Sequence, residues 1–415
     1  MKSLFVCALL CLPPMLLHAA AQAAADSAES AADPAAAAVE AARDYLLADT
    51  HIDVPERLEG EWADLTRSAE GGDFDYERAR RGGLDLPFMS IYTPSESEAE
   101  GTSFALANRL IDRVEALAGR APDKFALVRT PDQALAAKRR GLIGLAMGME
   151  NGSPLEGKLE NLAFFRDRGI SYITLAHALS NHIADSSYDE KRPWNGLSPF
   201  GREVVAEMNR QGILVDVSHV SDAAFYQVLE LSQAPVIASH SSARHFTPGW
   251  ERNMSDDMIR ALAAQGGVIM INFGSSFLTE PAWQWFERMV AARKAFLAEN
   301  GFDEHGSEAE DFQAEYRAMH PFPYATLDDL VAHFVHVIDL VGVAHVGIGS
   351  DFDGVGDSLP DGMKDVSFYP NLVGKLLEKG YSAADVEASL GGNLMGVWRA
   401  AREHAAALGP GVSTG

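Results

Sequence analysis

Cysteine is nearly absent. The 415-residue chain has two, Cys7 and Cys11, both inside an apolar stretch at the amino terminus. Once that stretch is removed, neither a disulfide nor thiol chemistry remains. Positive charge is scarce as well: 34 Lys plus Arg stand against 59 Asp plus Glu, a formal net charge of −25. That balance argues against nucleic acid and anionic membrane surfaces as partners. Long apolar runs are missing. The apolar stretch Leu4–Leu17 is interrupted by Pro13 and Pro14 and falls short of the ~20 residues a spanning helix needs. Internal repeats, basic patches and heptads are missing too, which argues against a structural or interaction module.

What is there begins with an export signal. Lys2 precedes the apolar stretch, and Ala19-Ala20-Ala21 and Ala23-Ala24-Ala25 offer A-x-A cleavage sites. Leu10 before Cys11 does not suit a lipoprotein site, which wants a small residue there. The expected organisation is a signal peptide over 1–25, a flexible lead-in over 26–41, one metallo-hydrolase domain over 42–405 and a flexible tail over 406–415. The expected location is periplasmic or secreted.

Gln211 to Ser242 reads as strand, helix, strand, with a histidine ending each strand. Ile213–His219 and Val236–His240 are short and β-branched; between them Ser221 precedes Phe225, Val228 and Leu229 at helical spacing. The strands of a βαβ unit are parallel, so His219 and His240 reach the same carboxyl edge. Six further segments have this character: Leu46–Asp53, Leu86–Tyr92, Ile143–Glu150, Ser171–His177, Gly267–Phe273 and His345–Asp351. Helical patterns lie between most of them. Eight strands alternating with helices predict an α/β fold, a (β/α)8 TIM barrel, in preference to a doubly wound sheet. Residues 277–324 form a helical insertion between the seventh and eighth strands, placed to lean over the site as a lid.

Most strand ends carry metal-binding chemistry: His51 and Asp53, Glu150, His177, His219, His240 and Asp351. Singly, each has a bland reading, as a hydrogen-bonded edge histidine or a turn or cap carboxylate. Six populated strand ends in one barrel make that reading of the whole set untenable. Four imidazoles and three carboxylates suit zinc or a similar divalent ion. Arg252 follows the sixth strand in WERNMSDD. It reads either as a clamp for a substrate carboxylate or as a solvated charge paired with Glu251 or Asp256, and the sequence leaves both open.

These residues resemble the membrane (renal-type) dipeptidases, a branch of the metal-dependent amidohydrolase barrels. The resemblance runs from about Leu47 to Arg402. It rests on DTHIDVP, MGMENG, ITLAH with NHIADSSYD, GLSPFGREVVAEMNRQGILVDVSHVS, APVIASHSSAR, RNMSDD and HVGIGSDFDG. It implies two zinc ions, His51 and Asp53 on one, His219 and His240 on the other, and Glu150 bridging. It further implies that His177 steadies the oxyanion and that Arg252 takes the free carboxylate of a dipeptide. Asp351 then takes the proton of the metal-bridging water, leaving the hydroxide that attacks, and passes it to the leaving amine, and the family allows a C-terminal D-residue. Some sequence features depart from the family. The tail AAALGPGVSTG is not hydrophobic, so no lipid anchor is expected, and a homodimer, if formed, is noncovalent. Leu86-Pro87 precede Phe88 where a polar residue is expected. The competing readings are another amidohydrolase substrate, such as an N-acyl amino acid or a lactone, and a periplasmic binding protein that has lost catalysis.

Overall fold

The computed structural model describes residues 40, 43–303 and 306–409. The expected signal peptide with Cys7 and Cys11, nearly all of the lead-in, and the end of the tail lie outside the described residues. Nine parallel strands follow the chain: β1 (Leu47–Ile52), β2 (Leu84–Tyr92), β3 (Phe125–Leu127), β4 (Ile143–Glu150), β5 (Ile170–Thr174), β6 (Leu214–Asp216), β7 (Ile237–Ser241), β8 (Val268–Ile271) and β9 (Val346–Ile348). Eight of them run in the order β1-β2-β4-β5-β6-β7-β8-β9, with β3 a short outer strand on β4. This is the expected barrel. β3 is the addition: three residues, too short to show a period.

The barrel closes between β9 and β1 by a single parallel bridge, Ile52 to Phe352. Asp53 N–H donates to Phe352 O at 2.9 Å, and Asp351 N–H donates to His51 O at 3.0 Å. The buried Asp49 side chain reinforces this seam. It accepts from His51 N–H at 3.1 Å and Ser350 N–H at 3.0 Å, and from the Tyr369 hydroxyl. A carboxylate here stands in for ladder bonds that the short strands do not make.

Strand interiors are apolar on both faces, as parallel sheets covered by helices require. Ala48, Leu86, Phe88, Ala146, Tyr172, Leu214, Ile237, Val268 and Met270 form an inner cluster. Leu394 and Trp398 of the helix Asn393–Leu408 join it, with Trp398 edge-on to Phe88 at 5.2 Å. The helix Asp222–Leu231 starts where Ser221 accepts a hydrogen bond from Ala224 N–H, the cap the sequence predicts. Ser382 and Asp385 form a reciprocal capping box, as do Thr326 and Asp329.

The insertion folds as two helices, Glu280–Asn300 and Ser307–Met319, between β8 and β9. The start of this region is tied down by buried His333 on the helix Leu327–Val341. Its Nδ1 accepts from Ala243 N–H at 3.1 Å and its Nε2–H donates to Leu278 O at 3.0 Å. A protonated ring loses the acceptor, and burial pushes this imidazole down to about 4. An unfolded histidine titrates near 6.5. The folded pKa is depressed, so the unfolded chain binds more protons between these values and stability falls as pH drops from about 6.5 to about 4. The contribution is on the order of 3 kcal/mol. His333→Gln should flatten that part of the pH dependence of urea unfolding, and an unchanged slope would contradict it.

Candidate metal centre and active site

Four imidazoles converge at the carboxyl end of the barrel, and hydrogen bonding fixes two of them. The Tyr172 hydroxyl donates to Thr50 O at 2.9 Å, so at 2.8 Å from His51 Nδ1 it can only accept. His51 therefore carries a proton on Nδ1 and turns Nε2 inward. The Ser239 hydroxyl likewise donates to Asp216 at 2.6 Å and accepts from His240 Nδ1–H at 2.7 Å, leaving the His240 Nε2 lone pair free. Partners of this kind fix the orientation of metal-ligating imidazoles. Gly148 makes this arrangement possible, since a Cβ there would lie 1.9 Å from Tyr172 Cζ.

Glu150 occupies the centre. Its Oε2 lies 3.3 Å from His51 Nε2 and accepts from the Ser90 hydroxyl at 3.2 Å. Its Oε1 lies 3.1 Å from His219 Nε2, 3.2 Å from His240 Nε2 and 3.4 Å from His177 Nε2. One carboxylate thus faces imidazoles with each oxygen. Burial opposes its charge, yet the neighbouring His51 and His177 rings hold it well below the usual carboxylate range. Burial pushes the His219 and His240 imidazoles well down, which keeps them neutral.

The remaining carboxylates sit across the seam. Asp53 Oδ2 is 3.5 Å from His51 Nε2. Asn272 Nδ2 donates to Asp351 Oδ2 at 2.6 Å. Burial, with the charge of Asp53 next, pushes Asp351 well above the carboxylate range. Gly354 gives both room, since a Cβ there would stand 2.3 Å from Asp351 Oδ1 and from Asp53 Oδ2. His219, Asp351 and Asn151 all have left-handed backbone, with φ of 66°, 65° and 72°. Non-glycine residues adopt it at a cost and cluster at functional sites when they do.

The donor set fits divalent ions. His51, Glu150 and His240 form one group, Glu150, His177 and His219 a second, and His51, Asp53 and Asp351 a third. His51 Nε2, Asp53 Oδ1 and His219 Nδ1 are buried without a hydrogen-bond partner. His240 stacks on His51 at 3.7 Å while its Nε2 lies 2.7 Å from His219 Nε2. It therefore faces both halves of the site.

Arg252 lies at the edge of the cluster, buried to 3% exposure. It donates to Ser241 Oγ at 2.8 Å and to His240 O at 2.7 Å, and its Nη2 is 3.0 Å from His219 Nε2. Neither alternative partner pairs with it. Glu251 binds Arg192 at 2.7 Å, and Asp256 binds His336 at 2.8 Å. Among the described residues no carboxylate lies within ion-pair distance of Arg252.

A sequence profile described as membrane dipeptidase (peptidase family M19) matches residues 35–409. The chain belongs to this family. It is similar to the uncharacterized dipeptidase C965.12 of Schizosaccharomyces pombe, 31% identical over 375 residues that cover 85% of this chain and 80% of that protein. It is 32% identical to dipeptidase tcpJ of Claviceps purpurea over 342 residues, 81% of this chain and 71% of that one. Among solved structures it matches the probable dipeptidase PvdM from Pseudomonas aeruginosa, with a TM-score of 0.77, 26% identity, and coverage of 89% and 99%.

This M19 dipeptidase holds more of its site than its motifs reveal. A cavity of about 450 Å³ opens over Asp53, Glu150, His177, His219 and Asp351. Trp285, Phe286, Met289 and Phe322 of the insertion line it, as the expected lid position implies. β2 lacks the expected polar residue at Leu86-Pro87 but contributes Ser90 to Glu150 and Tyr92 to the cavity. Tyr92 packs edge-on to His177 at 4.7 Å. Tyr188 and Trp250 form the wall beside His219. No helix among the described residues is long and apolar enough to cross a membrane.

Three buried carboxylates around one point destabilise the fold unless cations offset them. Stripping the metal should lower the melting temperature, and restoring it should reverse the loss. Binding at 1,000 times Kd contributes about 4 kcal/mol. Equal melting temperatures for stripped and loaded protein would refute this.

Proposed function

We propose that this dipeptidase holds two zinc ions and hydrolyses dipeptides that bear a free C-terminal carboxylate. The observation that carries the reading is Arg252, a buried guanidinium with no counter-ion among the described residues, at the edge of a site rich in metal donors. Burying a charge without a partner is costly, and a substrate carboxylate offsets that cost.

His51 and Asp53 would hold one ion, His219 and His240 the other, with Glu150 shared through its two oxygens. Bound zinc supplies an electrophile for the scissile carbonyl and a water acidic enough to attack near neutral pH. The chain supplies the rest. Arg252 fixes the substrate by its carboxylate and so sets the carbonyl against the donors. His177, steadied by Tyr92, donates toward the developing oxyanion. With bound cations countering the burial and the Asp53 charge that otherwise keep it protonated, Asp351, held by Asn272, takes the proton of the attacking water and returns it to the departing amine. The insertion residues Trp285, Phe286, Met289 and Phe322 give the cavity an apolar wall, so dipeptides with bulky apolar side chains should lead the substrate series.

The test is amino-acid release from L,L- and L,D-dipeptides, each beside its C-terminal amide, by zinc-loaded protein. Free dipeptides should be cut and amides spared, with a chelator abolishing the cleavage. L,D-substrates belong in the panel because the family resemblance extends to a C-terminal D-residue. Arg252→Met should retain metal and lose on the order of 100-fold or more in kcat/KM on free dipeptides, with amides unaffected. Equal cleavage of both forms by the parent would remove the clamp. Cleavage of neither would shift the reading to N-acyl amino acids or lactones.

A further inference from the structure

A second cluster of metal donors lies outside the barrel mouth. His245, Asp256 and His336 place one ligand atom each within 4.8 Å of the others. His336 Nε2 is 2.8 Å from Asp256 Oδ1. The His245 ring stacks on the His336 ring at 4.5 Å with 20° between planes. His245 is exposed, while Asp256 and His336 are half-buried. No lysine or arginine pairs with Asp256 among the described residues; its ion-pair partner is His336.

The three come from separate elements, and their placement is not arbitrary. His245 follows β7 in the short turn Arg244–Phe246, Asp256 opens the helix Asp256–Ala264, and His336 projects from the helix Leu327–Val341. Between His245 and Asp256 runs the loop that carries Trp250 and Arg252. The neck of that loop is pinched by a parallel bridge between Ala243 and Met254, with Arg244 N–H donating to Met254 O at 2.8 Å and Met254 N–H to Ser242 O at 2.9 Å. His245 and Asp256 flank this neck on its two arms.

We propose that His245, Asp256 and His336 form a separate divalent-cation site that clamps the neck of the Arg252 loop to the helix Leu327–Val341. Two imidazoles and a carboxylate are the donor set of zinc and neighbouring transition ions, with solvent in the open position. Bonds of about 2.0–2.2 Å bring tetrahedral donors to about 3.4 Å from one another. Asp256 and His336 already stand closer than that. The remaining adjustment is a rotation of the exposed His245 ring out of its stack on His336 and its edge-on contact with Phe246 at 4.9 Å. The ion would cross-link both arms of a loop whose tip aims a guanidinium into the active site.

The test is zinc uptake by the full-length holoenzyme, titrated with Zn2+ and counted by atomic emission after equilibrium dialysis. The parent should bind one equivalent more than either His245→Ala or His336→Ala. Filling that last equivalent in the parent should slow amide exchange across residues 244–256, and should leave the variants unchanged there. Equal equivalents in the parent and both variants would overturn the site. Loss of the equivalent with no change in exchange would overturn the clamp. If His336→Ala fails to fold, the exposed His245→Ala decides the stoichiometry alone.

Discussion

Glu150→Gln should emerge from gel filtration nearly free of metal and without measurable dipeptide hydrolysis. Glu150 alone faces all four imidazoles, Oε2 toward His51 and Oε1 toward His177, His219 and His240. An amide in its place removes the negative charge and turns two N–H groups toward lone pairs. Changes to groups one step behind the ligands cost about 10–100-fold in metal affinity or activity, so loss at the centre should exceed that. The measurement is metal per chain by atomic emission beside kcat/KM. A variant that keeps the parent's metal content would show that Glu150 does not hold the ions. Added zinc should also raise the melting temperature of the parent and not of the variant.

The second large effect belongs to Asp351. Asp351→Asn should keep its metal while kcat falls by about 10²–10⁴, the usual weight of a positioned proton carrier. KM should change little, because Arg252 is untouched. Asp351 also stands among His51 and Asp53 as a potential donor, and this experiment separates the two roles. Loss of metal along with activity would make it a ligand. Near-normal turnover with metal retained would leave it neither ligand nor proton carrier.

Much of this was legible in the chain because parallel barrels write their strands as apolar runs that stop at a polar residue. His51, Glu150, His219, His240 and Asp351 all mark such stops. The boundaries were less legible for a physical reason. The sixth and ninth strands end at Asp216 and Ile348, several residues before His219 and Asp351. Both of those residues turn left-handed instead of continuing the ladder, and neither histidine nor aspartate announces that in a sequence. The hydroxyls that orient the rings were invisible. Tyr172 reads as one more apolar residue in ISYIT, and Ser239 as a small residue in VIASH. Their meaning depends on Thr50 and Asp216, which the fold alone brings near. Arg252 was ambiguous for the opposite reason: its sequence neighbours offer carboxylates, and only packing shows those engaged elsewhere.

The barrel seam has a consequence for how the protein fails. Asp53 and Asp351 donate their backbone N–H groups across the junction of the first and last strands, and their carboxylates flank the reaction centre. The clasp of the staves and the proposed working parts are therefore the same few residues. Prising the first stave from the last on heating would dismantle the proposed centre at once, even while the other seven junctions remain shut.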